Sequence, residues 1–228
     1  MQRRNAEDVI KKVLANTSLF CTLDAEQRDR IIAASTVIRA PRNACIANQG
    51  EASNGIYVII YGEVELYFQN RDGNRKTMAI LGADHCFGLA ETILQRPHLS
   101  AARTISDAMV IHTSGHVLYE MARECFPFAL GIMACAAHQS HCLTREVERH
   151  SFESAFQRLM GYLLRQHRRQ SSPVIELHAS KSTIASRLGI AGGTFSRMLR
   201  DLCLRGVIEV RGRRIRIVDA GKLEVLRG

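Results

Sequence analysis

The spacing of apolar residues changes twice along the first half of the chain. Residues 5–17 and 24–34 show the helical spacing of amphipathic helices, with Asp24 as a candidate N-cap for the second. From 37 to 111 the pattern becomes short β-branched runs between turns, including the run 55–62 between two glycines. These runs predict an antiparallel β-roll or sandwich.

A longer helical pattern begins at Pro127 and runs to about Arg149. A small β-roll cannot cover a helix of this length, so we expect its apolar seam to pack on a second copy in a homodimer. We expect a hinge at Ser151, because a new amphipathic pattern begins at Phe152. The predicted seam consists of Phe128, Ile132, Cys135, Cys142, Leu143 and Val147.

Two short helical patterns meet at a glycine between residues 180 and 204. Ser180 is placed to cap the first helix, and Gly189 permits a tight turn. Opposite its apolar face, the second helix carries small or polar residues, which are Gly193, Thr194, Ser196, Arg197 and Arg200. This arrangement is typical of a helix-turn-helix whose second helix enters the DNA major groove.

Two β-branched runs, 207–210 and 215–218, follow this pair of helices and flank a basic turn. A basic hairpin beside a recognition helix is what a winged helix-turn-helix presents to the phosphate backbone. The candidate DNA-binding residues are therefore Ser180, Lys181, Thr194, Ser196, Arg197, Arg200, Arg211, Arg213 and Arg214.

The positive charge is concentrated in the same part of the chain. The 228 residues carry a formal net charge of +9. Residues 152–228 contain 15 Lys and Arg against 6 Asp and Glu, whereas residues 1–151 contain 16 of each kind. This distribution predicts double-stranded DNA as the partner of the C-terminal part.

Composition limits the class of protein further. The chain is 46% hydrophobic, lacks an apolar run long enough to cross a membrane, and lacks an apolar signal core at its N-terminus. We therefore expect a cytoplasmic protein without a membrane partner. Its seven cysteines are an odd set without CxxC spacing, and we expect them to be reduced.

In this order and at this length, the predicted elements resemble the CRP/FNR family of bacterial transcription regulators over nearly the whole chain. The resemblance implies an α+β fold with a cyclic-nucleotide-binding-like jelly roll (1–126), a long dimerisation helix with a hinge (127–150) and a winged helix-turn-helix domain (151–228). It also implies an effector pocket, a two-fold operator and a change of domain orientation on sensing, and we expect RNA polymerase as a partner. The matching residues are Gln49-Gly50-Glu51, Gly55 to Gly62, Phe87-Gly88, Pro127, Ile184-Ala185, Leu188-Gly189 and Thr194-Phe195-Ser196-Arg197.

Two known effector types of the family do not match these residues. Cyclic-nucleotide members carry an Arg-Ser pair for the cyclic phosphate, and counting from Gly88 places His98 and Leu99 there, so we do not expect cyclic AMP as effector. Iron–sulfur members carry closely spaced N-terminal cysteines, and Cys21 alone cannot supply them. Gly193 also stands where family members commonly have a Glu that contacts a base, so the operator should differ from the common one.

Between Pro127 and Leu164, and between Phe87 and Arg103, the spacing resembles the Dnr/NnrR-type branch, regulators of the response to nitrogen oxides that are thought to sense through haem. The resemblance implies haem-based sensing of nitric oxide or another diatomic gas, without identifying the ligands. The alternatives are another small molecule or thiol oxidation without haem. The candidate pocket residues are His85, Cys86, Gly88, His98, Leu99, His138, His141 and Cys142.

An enzyme on a cupin-like roll is the competing class of function. Cupin chemistry needs a cage of histidines projecting into the roll. The strand segments between 37 and 81 contain no histidine, so the sequence predicts a regulator and not an enzyme.

Overall fold

The computed structural model describes residues 10–11, 19–20 and 22–227, and it divides the chain into two compact units, 1–141 and 142–228. The helix predicted over 5–17 falls mostly outside the described residues, as does Cys21. Within the described ranges, no helix has both the length and the apolar character needed to cross a bilayer.

The first unit is built on two four-stranded antiparallel sheets. One sheet contains β1 (Ser35–Ala40), β3 (Gly55–Tyr61), β6 (Cys86–Phe87) and β8 (Ala108–Ser114), in the order β1-β8-β3-β6. The other contains β2 (Cys45–Ala47), β4 (Val64–Gln69), β5 (Arg75–Leu81) and β7 (Ala101–Thr104), in the order β2-β7-β4-β5. The predicted antiparallel roll is therefore confirmed.

Alternation along the strands explains how this roll is filled. Ile59, Val64 and Leu66 belong to an apolar cluster with members from both sheets. In the same cluster, the ring of Tyr57 stacks on that of Phe87 with 4.8 Å between centroids. The residues of β3 that alternate with Tyr57 and Ile59 point to the opposite face of the sheet, because successive side chains of a strand lie on opposite faces.

A second cluster covers that other face with helices. They are α1 (Ala25–Ala33), α2 (Leu89–Leu94), α3 (Gly115–Glu124) and α4 (Phe126–Phe152). Asp24 caps α1 in a capping box with Gln27, as predicted. Ile56 and Val58 of β3 share this cluster with Leu118 of α3.

The long helix α4 packs differently from the prediction. Phe128 and Ile132 are buried in the core of the first unit, and Cys135 packs against the same cluster. These three residues therefore cannot form an intermolecular seam, and that part of the predicted seam is wrong. The sequence shows only that the face is apolar, and the roll is what covers it.

The helix also ends later than expected. Ser151 lies within the last turn of α4, and the break in helical structure comes at residues 153–154. The next helix, α5 (Ala155–Gln170), begins after Ser154, whose side chain accepts a hydrogen bond from the Gln157 amide. The local cause of the break is this capping box, in which Gln157 also bonds the Ser154 amide.

The second unit is a small α/β domain. After α5 it contains β9 (Val174–Glu176), α6 (Lys181–Arg187), α7 (Gly192–Leu204), β10 (Ile208–Arg211), β11 (Arg214–Ile217) and α8 (Ala220–Arg227). The three strands form one antiparallel sheet in the order β10-β11-β9. Together with the roll and the long helix, this domain confirms the predicted fold class.

Candidate nucleic-acid interface and candidate effector site

The helix-turn-helix consists of α6, a turn and α7. Ser180 caps α6, and its Oγ accepts a hydrogen bond from the Thr183 amide at 3.1 Å. Ile184 and Ala185 are buried on the inner side of α6. Gly189 has a φ of 66°, a conformation that favours glycine, and it starts the turn towards α7.

The second helix exposes the face on which the predicted contacts lie. Phe195, Leu199 and Leu202 are buried, so the helix is fixed through its apolar side. Arg197 is exposed, and one of its terminal nitrogens donates to Thr194 Oγ1 at 3.3 Å. The exposed residues of this face also include Gly193, Ser196 and Arg200.

A basic hairpin lies after this helix in sequence and forms the wing. Arg211 pairs with Arg214 across β10 and β11, and Gly212 at the tip has a φ of 59°. Arg211, Arg213 and Arg214 are all exposed. The Arg214 Nε lies 3.8 Å from a Glu176 carboxylate oxygen, so its charge is partly balanced within the domain.

The carboxylates that follow α4 pair with basic side chains outside the exposed face of α7, so the positive charge of that face is not neutralised within the unit. Each of the six carboxylate side chains between residues 152 and 227 has a basic side chain within 4.0 Å; these residues are Glu153, Glu176, Asp201, Glu209, Asp219 and Glu224. In the described part of the chain, no carboxylate pairs with Lys181, Arg197, Arg200, Arg211 or Arg213. An uncompensated basic face of this kind attracts a polyanion.

Arg158 supports the helix-turn-helix from α5, and sequence reasoning missed this role. Its Nε donates to the Leu188 carbonyl at 2.8 Å, and a terminal nitrogen donates to the Glu153 carbonyl at 2.5 Å. A weaker contact of 3.5 Å reaches the Gly189 carbonyl. Arg158 thus links the break after α4 to the turn before α7. An arginine in an otherwise amphipathic helix carries no sequence signal for such a contact.

Two of the predicted effector residues, His98 and Gly88, lie near the aromatic stack of the roll. His98 is buried, with 5% of its surface exposed, and its ring centroid lies 6.2 Å from that of Tyr57. Gly88 has a φ of 82°, and a Cβ there would lie 3.6 Å from the His98 ring. Leu99, by contrast, is 69% exposed.

A second histidine completes this group and was not singled out from the sequence. The ring of His112 lies 4.8 Å from that of Tyr57, and its Nε2 lies 2.9 Å from Asn54 Oδ1. Burial lowers the pKa of His112 below its usual value, and the nearby His98 lowers it further. At neutral pH the His112 ring is therefore uncharged and offers no cation for a phosphate.

The contact between roll and long helix contains a pair of thiols. The Cys86 Sγ on β6 and the Cys135 Sγ on α4 are 3.5 Å apart. Gln139, one turn along α4, places its Nε2 at 3.5 Å from the Cys86 Sγ and 3.8 Å from the Cys135 Sγ. Cys86 was a predicted pocket residue, whereas Cys135 had been placed in the dimer seam.

The remaining predicted pocket residues lie on the surface. His85 is exposed in the loop before β6, where its Nδ1 lies 3.0 Å from the Ala83 carbonyl. His138, His141 and Cys142 are exposed along α4. The eight predicted residues therefore do not form one site, and no group of three metal-ligand side chains exists among the described residues.

The first unit also contains an open cleft of about 460 Å³, and Pro97, next to His98 in sequence, lies in its lining. It is lined mainly by polar residues, including Ser53, Asn54, Thr92, Arg96 and Tyr119. None of the eight predicted pocket residues lines it.

Comparison with known domain families agrees with this geometry. Residues 37–125 match the cyclic nucleotide-binding domain, and residues 157–226 match the Crp-like helix-turn-helix domain. A roll of the cyclic nucleotide-binding type followed by an exposed, basic helix-turn-helix is the domain arrangement of a DNA-binding transcription regulator. Both domains occur here in family order, and the chain belongs to the CRP/FNR family of regulators.

Individual relatives resemble the chain over most of its length. It is 23% identical to the cyclic AMP receptor protein of Thermus thermophilus, over 92% of this chain and 97% of that protein. The structure of FixK2 from Bradyrhizobium japonicum is 24% identical with a TM-score of 0.76, covering 84% and 96% of the two chains. That of DNR from Pseudomonas aeruginosa is 25% identical with a TM-score of 0.51, covering 95% and 96%.

Proposed function

We propose that the chain binds a two-fold DNA operator as an effector-controlled homodimer and acts on transcription through RNA polymerase. The observation that carries this proposal is the uncompensated basic face of α7 and the wing. We place this activity in the cytoplasm, where bacterial DNA and RNA polymerase meet.

In this proposal Arg197 reads a base. Its guanidinium is exposed on the recognition helix, where one terminal nitrogen donates to Thr194 and the remaining N–H groups can donate to guanine O6 and N7. Ser196 and Arg200 flank it on the same helix. Arg211, Arg213 and Arg214 contact phosphates, and Ser180 and Lys181 do so at the start of α6.

Two substitutions separate base reading from phosphate binding. Arg197→Ala should cost about 1–3 kcal/mol on the selected operator and relax specificity at one base pair in each half-site. Arg213→Ala, the matched control, should weaken binding to all sequences alike and reduce the salt dependence. The measurement is selection from a random duplex pool followed by titration at several salt concentrations. Unchanged selectivity of Arg197→Ala would contradict the placement of the recognition helix.

The face of α4 opposite the roll supports the homodimer. Leu130 and Met133 are each 52% exposed, and Phe126 and Val147 are also exposed. These residues belong to a heptad series, which predicts a seam between two parallel copies. The seam we propose is Phe126, Leu130, Met133, Ala137, Ser140, Thr144 and Val147. Two recognition helices then read half-sites about one helical turn, roughly 34 Å, apart.

A charge in this seam should dissociate the dimer. Met133→Asp places a carboxylate in the proposed interface, where it would be buried without a partner. Cys142→Asp is the control, because Cys142 is exposed on the opposite side of the same helix. Sedimentation should show a monomer for Met133→Asp and a dimer for Cys142→Asp. The reverse result would contradict the proposed seam and place the interface on the side of the helix that carries Cys142.

Cyclic AMP, which the Thermus relative is named for, is not the effector we propose for this chain. Spacing places His98 and Leu99, rather than an arginine and a serine, at the phosphate position. Arg103, which lies nearby in sequence, already binds Glu65, with 2.7 Å between its Nε and a carboxylate oxygen. Micromolar cyclic AMP affinity in calorimetry, with improved operator binding, would overturn this part of the proposal.

Haem, as the carrier of a nitric oxide or other diatomic gas signal, is a separate hypothesis. The candidate ligands do not surround a common cavity: His98 is buried beside Tyr57, and His138 and His141 are exposed on α4. Cys86 is packed against Cys135. The residues present thus do not fit haem in this conformation. A Soret band in protein purified from cells would support the hypothesis, and its absence after haem reconstitution would remove it.

A further inference from the structure

The thiol pair lies at the contact between the sensor roll and the long helix. Cys86 and Cys135 are 49 residues apart in sequence, yet their sulfurs are 3.5 Å apart. Both side chains are half-buried, so a small solute can reach them while bulk solvent is largely excluded. Their contact requires β6 and α4 to pack as they do here, because each element supplies one sulfur.

We propose that Cys86 and Cys135 form a reversible dithiol–disulfide site that hydrogen peroxide oxidises, and that this reaction controls DNA binding. The regulatory half rests on the proposed function of the chain as an effector-controlled regulator. The chemical half rests on the geometry alone.

The reaction proceeds in two steps. The Cys135 thiolate attacks one peroxide oxygen, an S–O bond forms as the O–O bond breaks, and the departing hydroxide takes a proton to become water. The Cys86 thiol then attacks the sulfenic sulfur of Cys135; the S–S bond forms, the S–O bond breaks, and the second hydroxide leaves with the Cys86 proton as water. Two thiols lose two electrons, and one peroxide is reduced to two waters. A low-molecular-weight thiol reverses the change.

The surroundings of the two sulfurs assign these roles. With the Cys86 thiol as hydrogen-bond donor, a thiolate on Cys135 is stabilised, which lowers the pKa of Cys135 to about 7. The same hydrogen bond and burial raise the pKa of Cys86. The Gln139 amide lies within 3.8 Å of both sulfurs, and its hydrogen bond lowers the pKa of Cys86, but by less than Cys135 and burial raise it. Cys135 is therefore the attacking thiolate, and Cys86 resolves the sulfenic acid.

Disulfide formation changes the contact only slightly but makes it permanent. The sulfurs must approach each other by about 1.5 Å to reach covalent distance. The bond then fixes β6 to the part of α4 that carries the proposed dimer seam on its other side. Because the oxidised form loses the freedom of roll and helix to shift, the two redox forms differ in their conformational equilibrium.

The chemical test uses the full-length protein treated with one equivalent of hydrogen peroxide. Intact mass should fall by about 2 Da, and peptide mapping without reduction should link Cys86 to Cys135. Cys86→Ser and Cys135→Ser should each abolish the link, whereas Cys142→Ser, two turns along the same helix, should retain it. Alkylation of Cys135 should accelerate about tenfold per pH unit below pH 7 and level off above it, since the thiolate reacts. A different pairing, or sulfinic acid without a link, would overturn the proposal.

The regulatory test compares oxidised and reduced protein on a duplex selected from a random pool. We expect the two affinities to differ by about tenfold or more, with the difference lost in Cys86→Ser. Equal affinities despite a confirmed disulfide would overturn the regulatory half, while leaving DNA-binding function intact. If neither form enriches any duplex although the disulfide forms, the proposed function fails and the thiol chemistry stands.

Discussion

Arg158→Ala tests how the helix-turn-helix is held in place. The guanidinium donates two short hydrogen bonds, to the carbonyls of Leu188 at 2.8 Å and Glu153 at 2.5 Å. No other residue type reaches both carbonyls with a fixed planar donor set. Removing the side chain leaves two carbonyls without their charged donor, one at the turn and one at the start of the domain.

The size of the effect follows from these two bonds. A hydrogen bond with one charged partner contributes roughly 1.5–3 kcal/mol. Arg158 is only half-buried, so water replaces part of the loss and the lower end applies. Two bonds then amount to about 3 kcal/mol, which corresponds to a change of about 100-fold in an opening equilibrium.

Hydrogen exchange measures the free energy of local opening at individual amides. The measurement therefore does not require the two units to unfold together. Amides of α6 and α7 should exchange about 100-fold faster in Arg158→Ala, while those of the first unit are unchanged. Arg158→Lys should recover only part of the protection, because one ammonium cannot serve both carbonyls. Arg168→Ala is the matched control on the same helix: its ion pair with Glu224 is exposed and should contribute less than about 1 kcal/mol. Equal protection in Arg158→Ala and Arg168→Ala would refute the anchoring role.

Two further predictions concern substitutions in the first unit, and a third substitution, in the second unit, serves as a control. Ile132→Asp should unfold the roll-side core and not merely separate a dimer, since Ile132 is buried within the subunit; a folded monomer by circular dichroism and sedimentation would contradict this. Gly55→Ala should destabilise the first unit by about 2 kcal/mol or more in urea denaturation, because the new Cβ would lie 2.1 Å from the Thr113 carbonyl oxygen. Gly193→Ala should instead raise helix stability by up to about 1 kcal/mol, as no atom lies within 4 Å of its Cβ position.

The fold was largely predictable because its signals are local. Asp24 and Ser180 cap helices where their side chains and spacing indicated, and Gly189 and Gly212 occupy the turns that need a positive φ. Strand alternation and the charge distribution likewise follow from neighbouring residues. Long-range partners have no such signal, which is why the role of Arg158 was missed.

The effector residues were harder to predict for a related reason. Counting from Gly88 identifies His98 and Leu99 as the positions in sequence, but it does not predict their burial. The structure shows that His98 is buried and Leu99 is exposed. His138, His141 and Cys142 of α4 were predicted to belong to the pocket, and Cys135 to the dimer seam. The structure pairs Cys135 with Cys86 from β6 instead, a partner that no spacing within the helix can reveal.

The long helix explains the error in the predicted seam and connects the proposed thiol site to the proposed dimer seam. Successive residues rotate by about 100°, so Cys135 and Met133 lie about 200° apart, on opposite sides of one turn. Cys135 packs on the roll, and Met133 is exposed. The helix therefore has two apolar faces, and amphipathic spacing alone cannot assign them to the subunit and to its partner. Any shift of the roll against Cys135 displaces the same turn that carries Met133, so the proposed thiol site and the proposed dimer seam are coupled through the width of a single helix.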